Sequence, residues 1–328
     1  MTALRSRLGR GSSLLLIPLS ILPFMLIGPS LVDSHAQFKR EQKSHALPAP
    51  EVALSGAELA RWKPLAPFSG AVPVIAYRGI GDGGPRSVTR LQLARQLAML
   101  KRAGFASISI HQYSRWRTGQ PAGMPPRPIL ITFDGGRLSS YRGADRQLQR
   151  YGFRATAFVP TGRIASRDRA LLTWKELHEM QDSGRWDVQA NGTDDGARVV
   201  AGPTGEMAPA YAYRRYTTSA GVESYADWQA RVTRDLFAAR DALVAQGFDP
   251  VAFAVPGGDL GAGATNDPRI PAYVRSLVGT QFGAAFVRDT RNWPAYTTRS
   301  GDAARLDIGR ATTADDLYAW LRAKDPSR

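Results

Sequence analysis

Residues 128–136 read Pro128-Ile129-Leu130-Ile131-Thr132-Phe133-Asp134-Gly135-Gly136, and this stretch decides the fold. An apolar, β-branched run closed by Asp-Gly-Gly is a buried strand that delivers one carboxylate to a glycine turn. Open α/β sheets and barrels place their chemistry at that end of a strand. An aspartate there also serves simply to cap a strand-to-loop turn.

The residues downstream narrow the choice. Ser140-Tyr141 opens a helical stretch that runs to Tyr151-Gly152-Phe153, and Ala155-Thr156-Ala157-Phe158-Val159-Pro160 follows as a second buried strand. In this order the passage resembles the polysaccharide deacetylase family, the Nod-factor deacetylase homology domain of the family-four carbohydrate esterases. That family opens with Thr-Phe-Asp-Asp-Gly, then a helix and an Ala-Thr-x-Phe-Val strand. The resemblance spans roughly residues 70 to 323. Val72 to Arg78 looks like the family's first strand, which usually ends Tyr-His. "LAMLKRAGFASISI", 97–110, looks like the next helix and strand. Phe253-Ala254-Val255-Pro256-Gly257-Gly258 stands where the family has Phe-Ala-Tyr-Pro-Tyr-Gly, and the stretch 223–259 is most similar to the poly-N-acetylglucosamine deacetylase branch. The resemblance implies a distorted, incomplete (β/α) barrel of about seven strands. Leu306–Arg310 is then expected as a late strand and Thr312–Arg322 as the closing helix, with Thr313 and Asp315 near its N-cap.

The resemblance also implies an active site. In the family the first aspartate is the general base on a metal-bound water. The second aspartate and a His-x-x-x-His pair hold the metal, and a further histidine is the general acid. Imidazole and carboxylate ligands suit zinc or a similar ion, which acidifies the water and polarises the acetamide. Carried over position by position, Asp134 retains the base. The second acidic position is Gly135, the two histidine positions read Asn191 and Asp195, and the opening-strand histidine reads Arg78. The chain's four histidines are His35, His45, His111 and His178, no two are spaced to bind one metal from a single element, and there is no cysteine. A three-histidine zinc site cannot be assembled from them.

Two readings stay open for these positions. Asp134, Asn191, Asp194 and Asp195 supply oxygen atoms suited to magnesium, calcium or manganese, whereas "NGTDDG" also reads as a turn-rich loop. No cofactor is expected, and an active enzyme would need a divalent cation of unknown identity. Arg78 either grips a carboxylate or phosphate on an acidic glycan or pairs with Asp134 as a replacement counter-charge. Pro256 and Gly258 are expected to shape the pocket.

The chain begins with a basic flank, residues 1–11, carrying Arg5, Arg7 and Arg10, and Ser12 to Val32 then run without a charge. About 20 apolar residues suffice to cross a bilayer, and the basic side stays cytoplasmic. The expectation is an extracytoplasmic domain anchored to the membrane, or a secreted one if cleavage falls near Ala36. Residues 33–70 read as an extended linker, 71–323 as the folded domain and 324–328 as a tail. Within the domain, 202–221 form a long insertion whose Tyr211, Tyr213 and Tyr216, with Arg214 and Arg215, either stack on sugar or cover the barrel edge.

The net charge is +15, with only six lysines among 43 basic residues. Such a balance favours anionic partners, while no nucleic-acid-binding motif is present. The expected partners are a cell-envelope polysaccharide, amino-sugar or anionic, the membrane, and a polysaccharide synthase or glycosyltransferase. Two functions of different class follow. One is a pseudoenzyme that binds glycan or acts as a scaffold. The other is an N-deacetylase that works through Asp134 and an atypical metal site.

Overall fold

Short apolar strands alternating with amphipathic helices close here into a ring. A computed structural model describes residues 46–323 apart from 68–69, 82, 85, 121, 165–167, 262–263, 283–284, 289–296 and 299–301. Its main strands are β1 (Val74–Tyr77), β2 (Ala106–Ser107), β3 (Pro128–Asp134), β4 (Ala155–Val159), β5 (Trp186–Ala190), β6 (Phe253–Ala254), β7 (Ala285–Arg288) and β8 (Ala303–Ile308). All pair in parallel, in the order β1-β8-β7-β6-β5-β4-β3, and β3 returns to β1. This is the (β/α) barrel that the resemblance implies. Its distortion is local. The two-residue β2 pairs only with Pro128 and Ile129 at the start of β3, so β1 lies directly against the rest of β3.

The helices are α1 (Gly56–Arg61), α2 (Arg90–Arg102), α3 (Ile110–Arg117), α4 (Leu138–Tyr151), α5 (Thr161–Ile164), α6 (Trp174–Asp182), α7 (Tyr225–Ala245), α8 (Ile270–Phe282) and α9 (Ala314–Ala323). Reciprocal capping boxes start α2 at Thr89 and Gln92, α3 at Ser109 and Gln112, and α6 at Thr173 and Glu176. Each box satisfies two otherwise orphaned backbone donors. Strand parity then sorts the core. Ile75, Tyr77, Ile131, Phe133 and Val188 pack outward against Leu93, Leu97, Leu148 and Leu177 of the helices. The alternate residues Val74, Leu130, Phe158, Ala254, Phe286 and Ala303 fill the barrel itself. Burying both faces is what lets parallel strands read as continuous apolar runs.

Several boundaries differ from the sequence expectation. The late strand is Ala303–Ile308 rather than Leu306–Arg310, because its pairing with β7 begins at Ala303. The closing helix is capped by Thr313 with Asp316, while Asp315 turns away to the Trp62 indole N–H and to Arg61. The linker expectation also needs correction. Of residues 33–70, the described part is not a free tether. Ser55 and Glu58 cap α1, Trp62 and Leu65 are buried in the core, and the Leu47 N–H reaches the Arg142 carbonyl. The tail and the apolar run 12–32 lie outside the described residues. Among the described residues no helix is long and apolar enough to cross a membrane.

Candidate functional site

The strand register brings the carboxyl ends of β1, β3, β4 and β8 to one level: Tyr77 lies beside Phe133, Asp134 beside Phe158, and Ile308 beside Tyr77. At that end opens a cavity of about 680 Å³ lined by Arg78, Arg86, Asp134, Arg137, Arg163, Asp195, Arg198, Gly257 and Asp259, among others. Asp134 reaches it because the parity that sends Phe133 out to the helices turns its neighbour inward.

The partner of Asp134 is one that sequence reading missed. Arg305, on β8, donates from its two terminal nitrogens to the two Asp134 oxygens at 2.6 and 2.9 Å. The Arg305 side chain is 1% exposed and that of Asp134 4%. The Phe158 ring lies 5.3 Å beneath the guanidinium carbon, and the Thr132 hydroxyl, which donates to the Ile75 carbonyl, lies 3.4 Å from the same nitrogen. Fork-to-fork pairing of this kind is the strong form of an arginine–carboxylate contact. Arg78, for which a counter-charge to Asp134 is one of the two sequence readings, stands 3.6 Å from Asp134 and 3.6 Å from Asp307 as well.

Asp195 fills the space beside Gly135. That glycine has φ +88°, and a β-carbon built on it would lie 3.1 Å from Asp195 Oδ2. Burial pushes the Asp195 carboxyl above its ordinary range, opposed in part by Arg163. Arg163, on α5, sits 3.4 Å from Asp195, 3.8 Å from Asp194 and 3.8 Å from Asp168.

The loop carrying Asp195 is pinned from outside. Asp235 of α7 accepts from the Thr193 N–H, the Thr193 hydroxyl and the Tyr211 hydroxyl. Tyr211 is thus core cover. Burial and the adjacent Asp235 carboxylate push its phenol well above its usual range, so it remains a donor. No aromatic side chain lines the cavity among the described residues, so the tyrosine-stacking reading of the insertion does not hold there.

The remaining predicted positions serve the scaffold. Asn191 is buried and donates its amide to the Ala254 carbonyl, while Asp194 accepts from the Gly196 N–H and closes its own turn. Pro256 and Gly258 are buried, and it is Gly257 and Asp259 beside them that line the cavity. His111 lies in α3 opposite Asp249, and His178 lies half-buried against Phe248. Neither lines the cavity.

A divalent ion needs several donors converging on one point. Here both Asp134 oxygens are taken by a guanidinium, position 135 has no side chain, and Asn191 and Asp194 spend polar groups on the backbone. Among the described residues no three His, Cys, Asp or Glu side chains are grouped to hold an ion. These donors do not suit the imidazole–carboxylate metal site that the resemblance implies.

Comparison with known proteins agrees with the fold and the aspartate strand. Residues 122–267 match the model of the polysaccharide deacetylase family. Over that stretch, a little under half of the chain, the protein is similar to a polysaccharide deacetylase domain. A poly-beta-1,6-N-acetyl-D-glucosamine N-deacetylase of Staphylococcus epidermidis is 28% identical over 111 residues, 33% of this chain and 38% of that protein. YxkH of Bacillus subtilis is 26% identical over 113 residues, 34% of this chain and 39% of that protein. The chain thus spans less than two-fifths of the length of these curated relatives. Among solved structures, a de-N-acetylase from Aggregatibacter actinomycetemcomitans shares the fold with a TM-score of 0.66 and 18% identity, covering 76% of this chain and 99% of that one. The BpsB deacetylase domain of Bordetella bronchiseptica gives 0.58 and 21%, covering 75% and 98%. The similarity thus includes a poly-N-acetylglucosamine deacetylase in sequence and deacetylases in fold.

Proposed function

We propose that this domain binds a cell-envelope polysaccharide without hydrolysing it, as a pseudoenzyme of the deacetylase fold. The observation that carries this reading is the buried pairing of both Asp134 oxygens with Arg305. A general base needs a lone pair aimed at the water it activates. Here the two best-placed lone pairs face a guanidinium, which is a donor only. The same guanidinium supplies the positive charge that a bound ion supplies in the family, yet it cannot acidify a water as a metal does. Among the described residues the lining also holds no imidazole to protonate a departing amine.

The basic flank and the apolar run 12–32 support a domain tethered outside the cell membrane. There it would meet an envelope polymer, and a polysaccharide synthase or glycosyltransferase is the natural companion. Mass spectrometry of the membrane fraction is expected to find peptides N-terminal to Ala36, and a mature N-terminus at Gln37 would show a secreted protein instead.

The test of the reading is acetate release from N-acetylglucosamine oligomers with zinc, cobalt, manganese or magnesium added in turn, alongside metal analysis of the purified protein. The expected result is no release and no stoichiometric metal, with glycan binding retained. Metal-dependent release that disappears in Asp134→Ala would overturn it in favour of an N-deacetylase with an atypical ion site.

A further inference from the structure

The cavity wall is unusual for a sugar site. Saccharide pockets lean on aromatic faces and neutral hydrogen-bonding groups, and among the described residues no aromatic ring lines this one. Among the described residues five arginines, Arg78, Arg86, Arg137, Arg163 and Arg198, face three aspartates. One of those three, Asp134, already has its charge answered by Arg305, which does not line the wall.

Two of the arginines are held in place but only weakly engaged. Arg78 stands 3.6 Å from each of two carboxylates, and its Nε is buried without a hydrogen bond. Arg163 stands 3.4 to 3.8 Å from three. Charge-assisted hydrogen bonds form at about 2.7–2.9 Å, so both guanidinia can close on an incoming oxyanion. Arg198, on the rim, donates to the neutral Met207 carbonyl. A volume of about 680 Å³ lies within the usual ligand-pocket range of about 300–1,000 Å³.

We infer that the cavity seats an acidic saccharide whose oxyanion, a carboxylate or a phosphate, is received by Arg78, Arg163 and Arg198. This rests on the glycan-binding reading above and names the glycan's charge. A neutral N-acetylated polymer offers these arginines no formal charge, and a deacetylated, cationic one is repelled.

The test is calorimetric titration of the full-length protein in detergent with four probes: a polyuronate oligomer, a glycerol-phosphate oligomer, an N-acetylglucosamine oligomer and a glucosamine oligomer. At low salt at least one anionic probe is expected to bind on the order of tenfold more tightly than the neutral and cationic ones, and to weaken as salt is raised. Which anionic probe binds better identifies the oxyanion. Arg163→Gln and Arg198→Gln should each weaken that binding about two- to fivefold, with the melting temperature little changed. Binding unaffected by both substitutions would overturn the assignment of the site. Equal or tighter binding of the neutral probe would overturn the inference and leave glycan binding standing. Binding of none of the four by the folded protein would overturn both.

Discussion

Asp134 and Arg305, 171 residues apart in sequence, meet inside the barrel through two parallel hydrogen bonds, while the arginine nearer in sequence, Arg78, stays at 3.6 Å. Breaking a buried pair by removing one partner leaves an uncompensated charge and costs about 3–5 kcal/mol. Arg305→Gln is therefore expected to lower unfolding free energy by about that amount in chemical denaturation. Arg78→Gln should cost about 1 kcal/mol or less, as a longer and more exposed pair. In Arg305→Gln/Asp134→Asn no charge is stranded, so the double variant should recover most of the loss. Equal costs for the two arginine variants would mean that Arg78 shares the carboxylate evenly.

The Asp195 carboxyl sets a pH dependence. Burial raises its folded-state value above the unfolded one, near 3.9. The folded chain therefore holds this proton more tightly than the unfolded chain. Its contribution to stability is full below the unfolded value and is lost as pH rises through the raised folded value. Asp195→Asn should remove that slope, so the variant gains on the parent in melting temperature as pH rises from 4 to 7. A difference independent of pH would show that Arg163 cancels the effect of burial.

Gly135→Asp restores the acidic residue that the deacetylase family carries at this position. At φ +88°, with Asp195 Oδ2 only 3.1 Å from the new β-carbon, it is expected to destabilise rather than to recruit an ion. The left-handed backbone alone costs about 1–2 kcal/mol, and like-charge contact with Asp195 adds to it. Thermal denaturation with and without manganese or zinc checks this, and a metal-dependent rise in melting temperature would be the contrary result.

Trp62 sits in the segment that reads as linker, yet it is buried and its indole N–H donates to Asp315 at 2.7 Å. Trp62→Ala is expected to cost about 3–5 kcal/mol, the range for large aromatic core residues. Loss of under about 1 kcal/mol by denaturant titration would return residues 46–67 to the status of a tether.

The aspartate strand, the strand–helix alternation and the turn character of 191–196 were legible in the sequence because each is a local pattern. Arg305 was not, because it lies 171 residues beyond its partner Asp134 and in none of the stretches that carry the family resemblance. A signal for it does exist. In Ala303-Ala304-Arg305-Leu306-Asp307-Ile308 two charges fall at i and i+2 of a strand flanked by small residues, so one face of a buried strand carries both. Asp235 and Arg163 were hidden for the same reason, since each acts on the 191–195 loop from a separate helix. Trp62 was hidden by the prolines around it, which look like a spacer until the aromatic finds its seat against α9.

A bound metal is borrowed from the surroundings and can be taken back by a chelator, a scarcity of the ion or a competing protein. Arg305 is translated with the chain. The counter-charge that Asp134 meets is thus written in the gene and does not vary with the ion supply.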